Sequence, residues 1–568
     1  MAITGSGAAS RGAGARSRTR RRVATIVMAV AAAALALGGV VHSASPAVAA
    51  TTSSGVLYAP STASGSTEDA SYPRAIRLQH SGSANGTLLA TFAHSGTGVT
   101  KANFPIYRST NNGVTWTPSP IGTVTDTQHG WDMDGPTLYE LPQAEGNLPA
   151  GTLLAAGTAW NHGDYTQQAV EVYVSTNQGV TWSYRSSCAS ESGTANTTGH
   201  GIWEPEFDVA GNGDLLCFFS DERPSSNNYN QVIAHVASTD GGLTWGSEVY
   251  DVAVQNNVER PGMATVVNLP NGTYAMSYED CKNGYDPDQA CDDYIKTTSN
   301  AESWNPSSLG TRMQTSDSRF LLHTPYLAWS PAGGTNGTLI ASGQRVVAGT
   351  DGSLTVEAES GHVLFTNTNL GVGAWKEVTT AVTTDPTGGY DGSETSCAGY
   401  SSPLLGATSG TSYLMLAGTH VSTGKCETQF ATATLPTANG PITGPGTTGK
   451  CVDVNTNTSV AGNAVQLYTC GTAEGQQWAL ESDGTVRAYD KCLDIVGNGT
   501  ADSTKVELWG CDGAGGQQWT ARSDGSLYNP QSGRCLDDPQ AITTDGTQLQ
   551  IYDCNGLSTQ VWHVPTTS

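Results

Sequence analysis

Ser109–Trp116 reads STNNGVTW, Ser175–Trp182 reads STNQGVTW and Ser238–Trp245 reads STDGGLTW. A worn fourth copy, TTSNAESW, runs from Thr297 to Trp304. The copies start 66, 63 and 59 residues apart. Asn or Asp followed by Gly makes a tight hairpin turn, and the closing Trp folds back to pack on it. One such hairpin every 60-odd residues, with several short strands between copies, is the scale of one propeller blade. Units of about 64 residues divide positions 51–436 into six. The fold class expected from this stretch is all-β, a six-bladed β-propeller.

The composition agrees. Gly 68 and only 13% charged residues fit a turn-rich β protein. A formal charge of −24 excludes the basic surface that nucleic acid requires. The first 50 residues carry Arg11, Arg16, Arg18 and Arg20–Arg22, then the apolar run Val23–Val41, then Ala47-Val48-Ala49. Basic, apolar and small residues in that order read as a secretion signal, so segment 1–50 is expected to be removed. The mature protein is expected to be extracellular, at a charge of about −30, with no membrane association. Twelve cysteines suit that oxidising destination, six before residue 430 and six after 450. The even split predicts disulfides that stay within each part, and the spacing is unlike that of zinc ligands.

Chemistry must come from loops at the propeller axis. Glu204, between Trp203 and Pro205, ends a polar loop just before the apolar run Leu215–Phe219. Glu279 follows in MSYE, and Arg260 lies between them in RPGM (260–263). Glu206 competes with Glu204: in a regular extended strand the two would share a face and only one could be central. The hairpin motif resembles the Asp-box of sialidases and related propellers, where it is structural. The strings YPR (72–74), LYELP (138–142), WEP, RPGM, MSYE and CAGYSSPLL (397–405) resemble, in that order, the glycoside hydrolase family 93 exo-arabinanases. That resemblance implies Glu204 and Glu279 as the catalytic pair and Tyr400 as the active-site tyrosine. It also implies retention of anomeric configuration, hence carboxyl groups about 5–5.5 Å apart. The order expected is Glu204 as nucleophile and Glu279 as acid/base. Arg74, Arg260, Trp203 and Asp134 are the candidate substrate-binding residues.

Positions 437–449 form a Pro/Gly/Thr linker. Beyond it, Cys451/Cys470, Cys492/Cys511 and Cys535/Cys554 are each 19 apart, and each second cysteine precedes a Gln-x-Trp ending at Trp478, Trp519 or Trp562. Three units of just over 40 residues fit a β-trefoil over 450–568 with one disulfide per lobe. This resembles the ricin-type lectins, or family 13 carbohydrate-binding modules. The resemblance implies sugar contacts from Asp453, Gln466 and Tyr468; from Asp494 and Trp509, with Glu507 where Gln is usual; and from Asp537, Gln550 and Tyr552.

The sequence therefore predicts a secreted retaining exo-glycosidase on linear α-1,5-L-arabinan, releasing arabinobiose and held on polysaccharide by its lectin. It is expected to act as a monomer, with no cofactor and no metal. Two alternatives stay open. A sialidase would use Arg74, Arg260 and Arg345 on a carboxylate, with Tyr400 as nucleophile and Asp134 as acid. A glycan-binding propeller would have no catalysis at all.

Overall fold

The computed structural model describes residues 50–565, apart from 62, 64–65, 162–165, 193–198, 286–288, 333–335, 386–396, 408–410, 421–425, 436–439, 446–448, 481–483, 490 and 523. Of the segment expected to be a secretion signal, positions 1–49 lie outside these residues. Among them there are strands and short 3-10 turns and no α-helix.

Six antiparallel sheets succeed one another before residue 435. Their first strands are Asp69–Arg77, Asp132–Glu140, Ile202–Val209, Pro261–Asn268, Tyr326–Ser330 and Leu404–Gly406. Each sheet runs outward as a meander, as in Ile202–Val209, Leu215–Asp221, Val232–Ser238 and Val249–Val252. The fourth is extended by a hairpin through Arg345–Thr350 and Ser353–Val356. The last is completed by the chain's first strand: Ala50–Tyr58 pairs with Cys426–Thr434. Thr428 then donates to the carbonyl of Ala70, and Phe430 and Leu57 share a core with Leu88 and Phe92. The end of the propeller-like part is thereby sewn to its beginning.

The repeated octapeptides form one hydrogen-bonded device. In the third copy Ser238 Oγ accepts from the Gly242 amide at 2.8 Å, and Asp240 Oδ1 accepts from the Leu243 and Thr244 amides at 2.9 Å. The same bonds join Ser109 to Gly113 and Asn111 to Thr115, and Ser175 to Gly179 and Asn177 to Thr181. In the worn copy the anchoring hydroxyl belongs to Thr298, one residue later than the sequence alignment placed it. A further copy is hidden at Asn367–Trp375, where Asn367 Oδ1 accepts from the Asn369 and Gly371 amides and Trp375 is buried.

The C-terminal part is built on three hairpins: Lys450–Val454 with Asn463–Thr469, Lys491–Ile495 with Val506–Trp509, and Arg534–Asp537 with Gln550–Asp553. Trp478, Trp519 and Trp562 are buried at its centre. Their indole N–H groups donate to the carbonyls of Val452, Leu493 and Leu536 at 2.8, 2.9 and 2.9 Å. One correction concerns the stretch read as a linker. Gly440 pairs with Trp478, Thr443 with Cys451 and His563, and Ile442 is fully buried in the trefoil core. An apolar side chain among the Gly, Pro and Thr is what anchors it.

All twelve cysteines are paired within their own part: Cys188–Cys217, Cys281–Cys291 and Cys397–Cys426 in the sheets, and Cys451–Cys470, Cys492–Cys511 and Cys535–Cys554 in the trefoil.

Candidate active site and lectin lobes

Four of the six inner strands begin with the same irregularity. Register shifts interrupt pairing between Ser71 and Arg74, Asp134 and Thr137, Trp203 and Glu206, and Gly262 and Thr265. Within them Tyr72, Gly135, Glu204 and Met263 have φ of +53°, +59°, +50° and +57°. Thr324 (+51°) and Ser401 (+49°) lie just ahead of the first strands of the last two sheets, Tyr326–Ser330 and Leu404–Gly406. Four of the six precede proline: Tyr72-Pro73, Gly135-Pro136, Glu204-Pro205 and Thr324-Pro325. A bulge with a left-handed residue leaves its side chain out of the ladder and re-aims it, and proline supplies no N–H to restore pairing.

The bulge decides between Glu204 and Glu206. The strand is not regular there, so the two acids do not share a face as expected. Glu204 enters a cavity of about 300 Å³ lined by Tyr72, Asp134, Gly135, Thr158, Trp160, Trp203 and Tyr400. Glu206 instead accepts from Thr137 Oγ1 at 3.0 Å and lines a separate channel of about 790 Å³.

Glu279 reaches the site from the neighbouring sheet. It lies directly opposite Gly262 in the ladder, and a Cβ on Gly262 would sit 4.0 Å from Glu204 Oε2. Directly opposed residues in an antiparallel pair have Cα atoms about 4.5–5.5 Å apart. The two acids thus flank one glycine, whose missing side chain is the gap between them. Glu279 is 7% exposed and accepts from the Thr324 amide at 2.8 Å, with His323 Nδ1 at 3.7 Å. Glu204 accepts from Ser220 Oγ at 2.9 Å. Burial, then the charge of Glu279, push the Glu204 carboxyl up to about 7 against the pull of Ser220 and Arg260. Burial likewise lifts Asp134 to about 6.

Of the other expected residues, Trp203 packs edge-on to Trp160 with centroids 6.1 Å apart, and Tyr400 meets Tyr72 at 5.8 Å. Arg260 binds Glu222 at 2.7 Å and feels the charges of both catalytic candidates. Arg74 is not a lining residue. Its guanidinium sits 4.3 Å from the Tyr72 centroid and 5.2 Å from that of Tyr326, and it donates to the carbonyls of Pro73 and Ser401. It braces the bulge from behind. Sequence reading gave no site role to Tyr72, Trp160, Ser220 and Thr324. The X-Pro dipeptides near positions 72, 135, 204 and 324 were the available signal for two of them.

In the trefoil, each expected Asp faces the expected polar residue across the hairpin: Asp453 and Gln466, Asp494 and Glu507, Asp537 and Gln550. Beside them Tyr468, Trp509 and Tyr552 are 44%, 42% and 38% exposed, unusual for rings in a small domain. Gln466 Nε2 donates to Asp453 at 2.8 Å and Gln550 Nε2 to Asp537 at 2.9 Å.

Residues 438–562 match the family model of the ricin-type beta-trefoil lectin domain. Over the sheets that precede it, the chain is similar to the GH93 α-L-arabinofuranosidase of Fusarium graminearum solved with arabinobiose. Identity is 26%, covering 68% of this chain and 98% of that one, with a TM-score of 0.55. It is equally similar in fold to the α-L-arabinanase of Penicillium chrysogenum complexed with arabinobiose, at 28% identity over 67% and 98% of the two chains and a TM-score of 0.55. No curated protein matches.

Proposed function

We propose that the protein is a secreted glycoside hydrolase that removes arabinobiose from the end of linear α-1,5-L-arabinan with retention of configuration, and that its trefoil holds it on polysaccharide. The observation that carries this is the pair Glu204 and Glu279 on either side of Gly262, with Glu204 in a small cavity walled by Trp203, Trp160 and Tyr400. A cavity of that size with aromatic walls suits a short chain end rather than the middle of a polymer. The similarity to two arabinan-active enzymes crystallised with arabinobiose supports the same substrate class.

In a retaining reaction one carboxylate attacks the anomeric carbon while the other protonates the leaving oxygen. The environments favour reversing the order expected from sequence. Glu204, lifted to about 7, keeps a proton near neutrality and is read as the acid/base. Glu279 accepts a backbone N–H and is read as the nucleophile. Water entering from the leaving-group side then gives its proton back to Glu204 and frees the sugar. Tyr400 and Trp203 are read as positioning the ring at the cavity wall.

The sialidase alternative asks three arginines to converge on a carboxylate. Arg260 is instead held by Glu222 and Arg74 by the carbonyls of Pro73 and Ser401, which disfavours it.

The test is product analysis on debranched arabinan and on sialyllactose, with wild type, Glu204→Gln and Glu279→Gln. Arabinobiose as the early product, lost at least about 10³-fold in both variants, supports the reading. Released sialic acid, or full activity in either variant, sinks it. Azide added to the two variants with an aryl arabinofuranoside decides the roles: the acid/base variant gives the azide of retained configuration, the nucleophile variant the inverted one.

A further inference from the structure

The three trefoil lobes repeat one geometry with one chemical exception. In the first and third, a Gln amide donates to the Asp opposite it and leaves a single, oriented carboxylate beneath an exposed ring. In the second, the opposing residue is Glu507, which has no N–H to give. Asp494 is 8% exposed and its Oδ1 has no hydrogen-bond partner. Burial, then the charge of Glu507, lift Asp494 to about 6. Asp512 adds to the negative potential there. Lys505, which opens the strand carrying Glu507, is turned to the carbonyl of Gln548 and to Gln550 Oε1 of the third lobe. The ring is present as in the other lobes. A Cβ on Gly462 would lie 3.5 Å from Trp509 Cζ3 and 3.7 Å from Glu507 Oε2, so indole and carboxylate border the same spot.

We infer that the second lobe is a site for a cationic amino sugar, a 2-amino-2-deoxyhexose with a free ammonium group, while the first and third take neutral sugars. The inference rests on the lectin reading of the trefoil. A neutral ring offers only hydroxyl donors, and two carboxylates under it would remain unneutralised in a partly buried place. An ammonium group brings three N–H donors and one positive charge. It can bond both carboxylates with charge-assisted hydrogen bonds while the face of Trp509 supplies stacking and cation–π attraction. Gln in place of Glu507 would convert the site to the pattern of its two sisters.

The experiment uses the full chain carrying Tyr468→Ala and Tyr552→Ala, which leaves only the second lobe with its ring. Binding of a glucosamine trimer, of its N-acetylated counterpart and of a neutral xylose trimer is measured by titration calorimetry, with and without EDTA. The result expected is a preference of at least about tenfold for the free amine over the acetylated trimer. That preference should weaken with salt, survive EDTA, and vanish in Glu507→Gln with a gain for the neutral trimer. Equal binding of the amine and acetylated trimers overturns the inference, as does an unchanged preference in Glu507→Gln. Sugar binding abolished by EDTA overturns it too, since the carboxylates would then hold a metal ion. Wild type is titrated with the neutral trimers in parallel. Neutral binding that depends on Tyr468 and Tyr552 keeps the lectin reading whatever the second lobe does, and its absence in every chain overturns both.

Discussion

At the scale of a single residue, Glu204 in its proposed role sets the site's pH dependence. Ser220 Oγ is the group that most favours its charged form, at 2.9 Å. In the proposed role Glu204 must be protonated, so kcat/KM is expected to fall as pH rises through about 7. Ser220→Ala removes the donor and should move that alkaline limb upward by about one pH unit, since a hydrogen bond to a charged group contributes about 1.5–3 kcal/mol. A pH–rate profile checks it; a limb that moves down, or an acid limb that moves instead, contradicts the role. Gly262→Ala tests the gap between the acids. The added methyl would lie 2.8 Å from Gln231 Nε2 and 3.3 Å from Ser220 Oγ, so both must shift beside Glu204. The expected result is a loss in kcat of about tenfold or more with only about 1–3 kcal/mol of stability lost, read by kinetics beside calorimetry. These residues show what the sequence could and could not disclose. Glu204 and Glu279 stood out in short strings around Pro, Trp and Tyr. Ser220 and Thr324 gave no sign of a role, because a hydroxyl or a backbone N–H acquires one only when another strand arrives beside it.

Among elements, the repeated hairpin and the bulge behave oppositely. The hairpin's work is local, between residues four apart, so a pattern of Ser, Asp or Asn, Gly and Trp announces it in the sequence. The copy at Asn367–Trp375 escaped because Asn replaces the anchoring hydroxyl and one extra residue precedes the Trp. The bulges were illegible for a different reason: φ is a property of the folded chain, and proline follows only four of the six left-handed residues. The distinction has a measurable side. Asp240→Ala strips acceptors from the Leu243 and Thr244 amides and from Thr244 Oγ1. It should lower stability by about 1–3 kcal/mol and leave kcat and KM unchanged, because the turn lines neither cavity. A fall in kcat of the folded enzyme would mean that the hairpins transmit to the site.

For the whole molecule, acidity is placed more tellingly than it is counted. The formal charge of −24 was plain in the sequence, but not that so many carboxyls lie buried among the strands. Burial lifts Asp134 to about 6 and Glu204, Glu206 and Asp208 to about 7; Asp251 and Asp280, farther along the chain, rise to about 6 and 7. In the unfolded chain all of them titrate near 4. A group whose folded pKa is raised stabilises the fold fully below its unfolded pKa, and that contribution drains away as pH climbs to the folded value. For these six the loss runs from about pH 4 to about pH 7. Surface carboxyls act in the other direction at lower pH. Hydrogen bonds hold Glu68 and Asp240 down at about 2, so their contribution is present above about pH 4 and lost toward pH 2. The two sets leave a stability maximum near about pH 4, and Tm should be several degrees higher at pH 5 than at pH 8. Calorimetric scans at the two values, in a buffer of small ionisation enthalpy, measure it directly. A Tm that rises steadily from pH 5 to pH 8 would mean that the buried acids are ionised in the folded protein and held by cations, and the proton assigned to Glu204 would have to be given up with it.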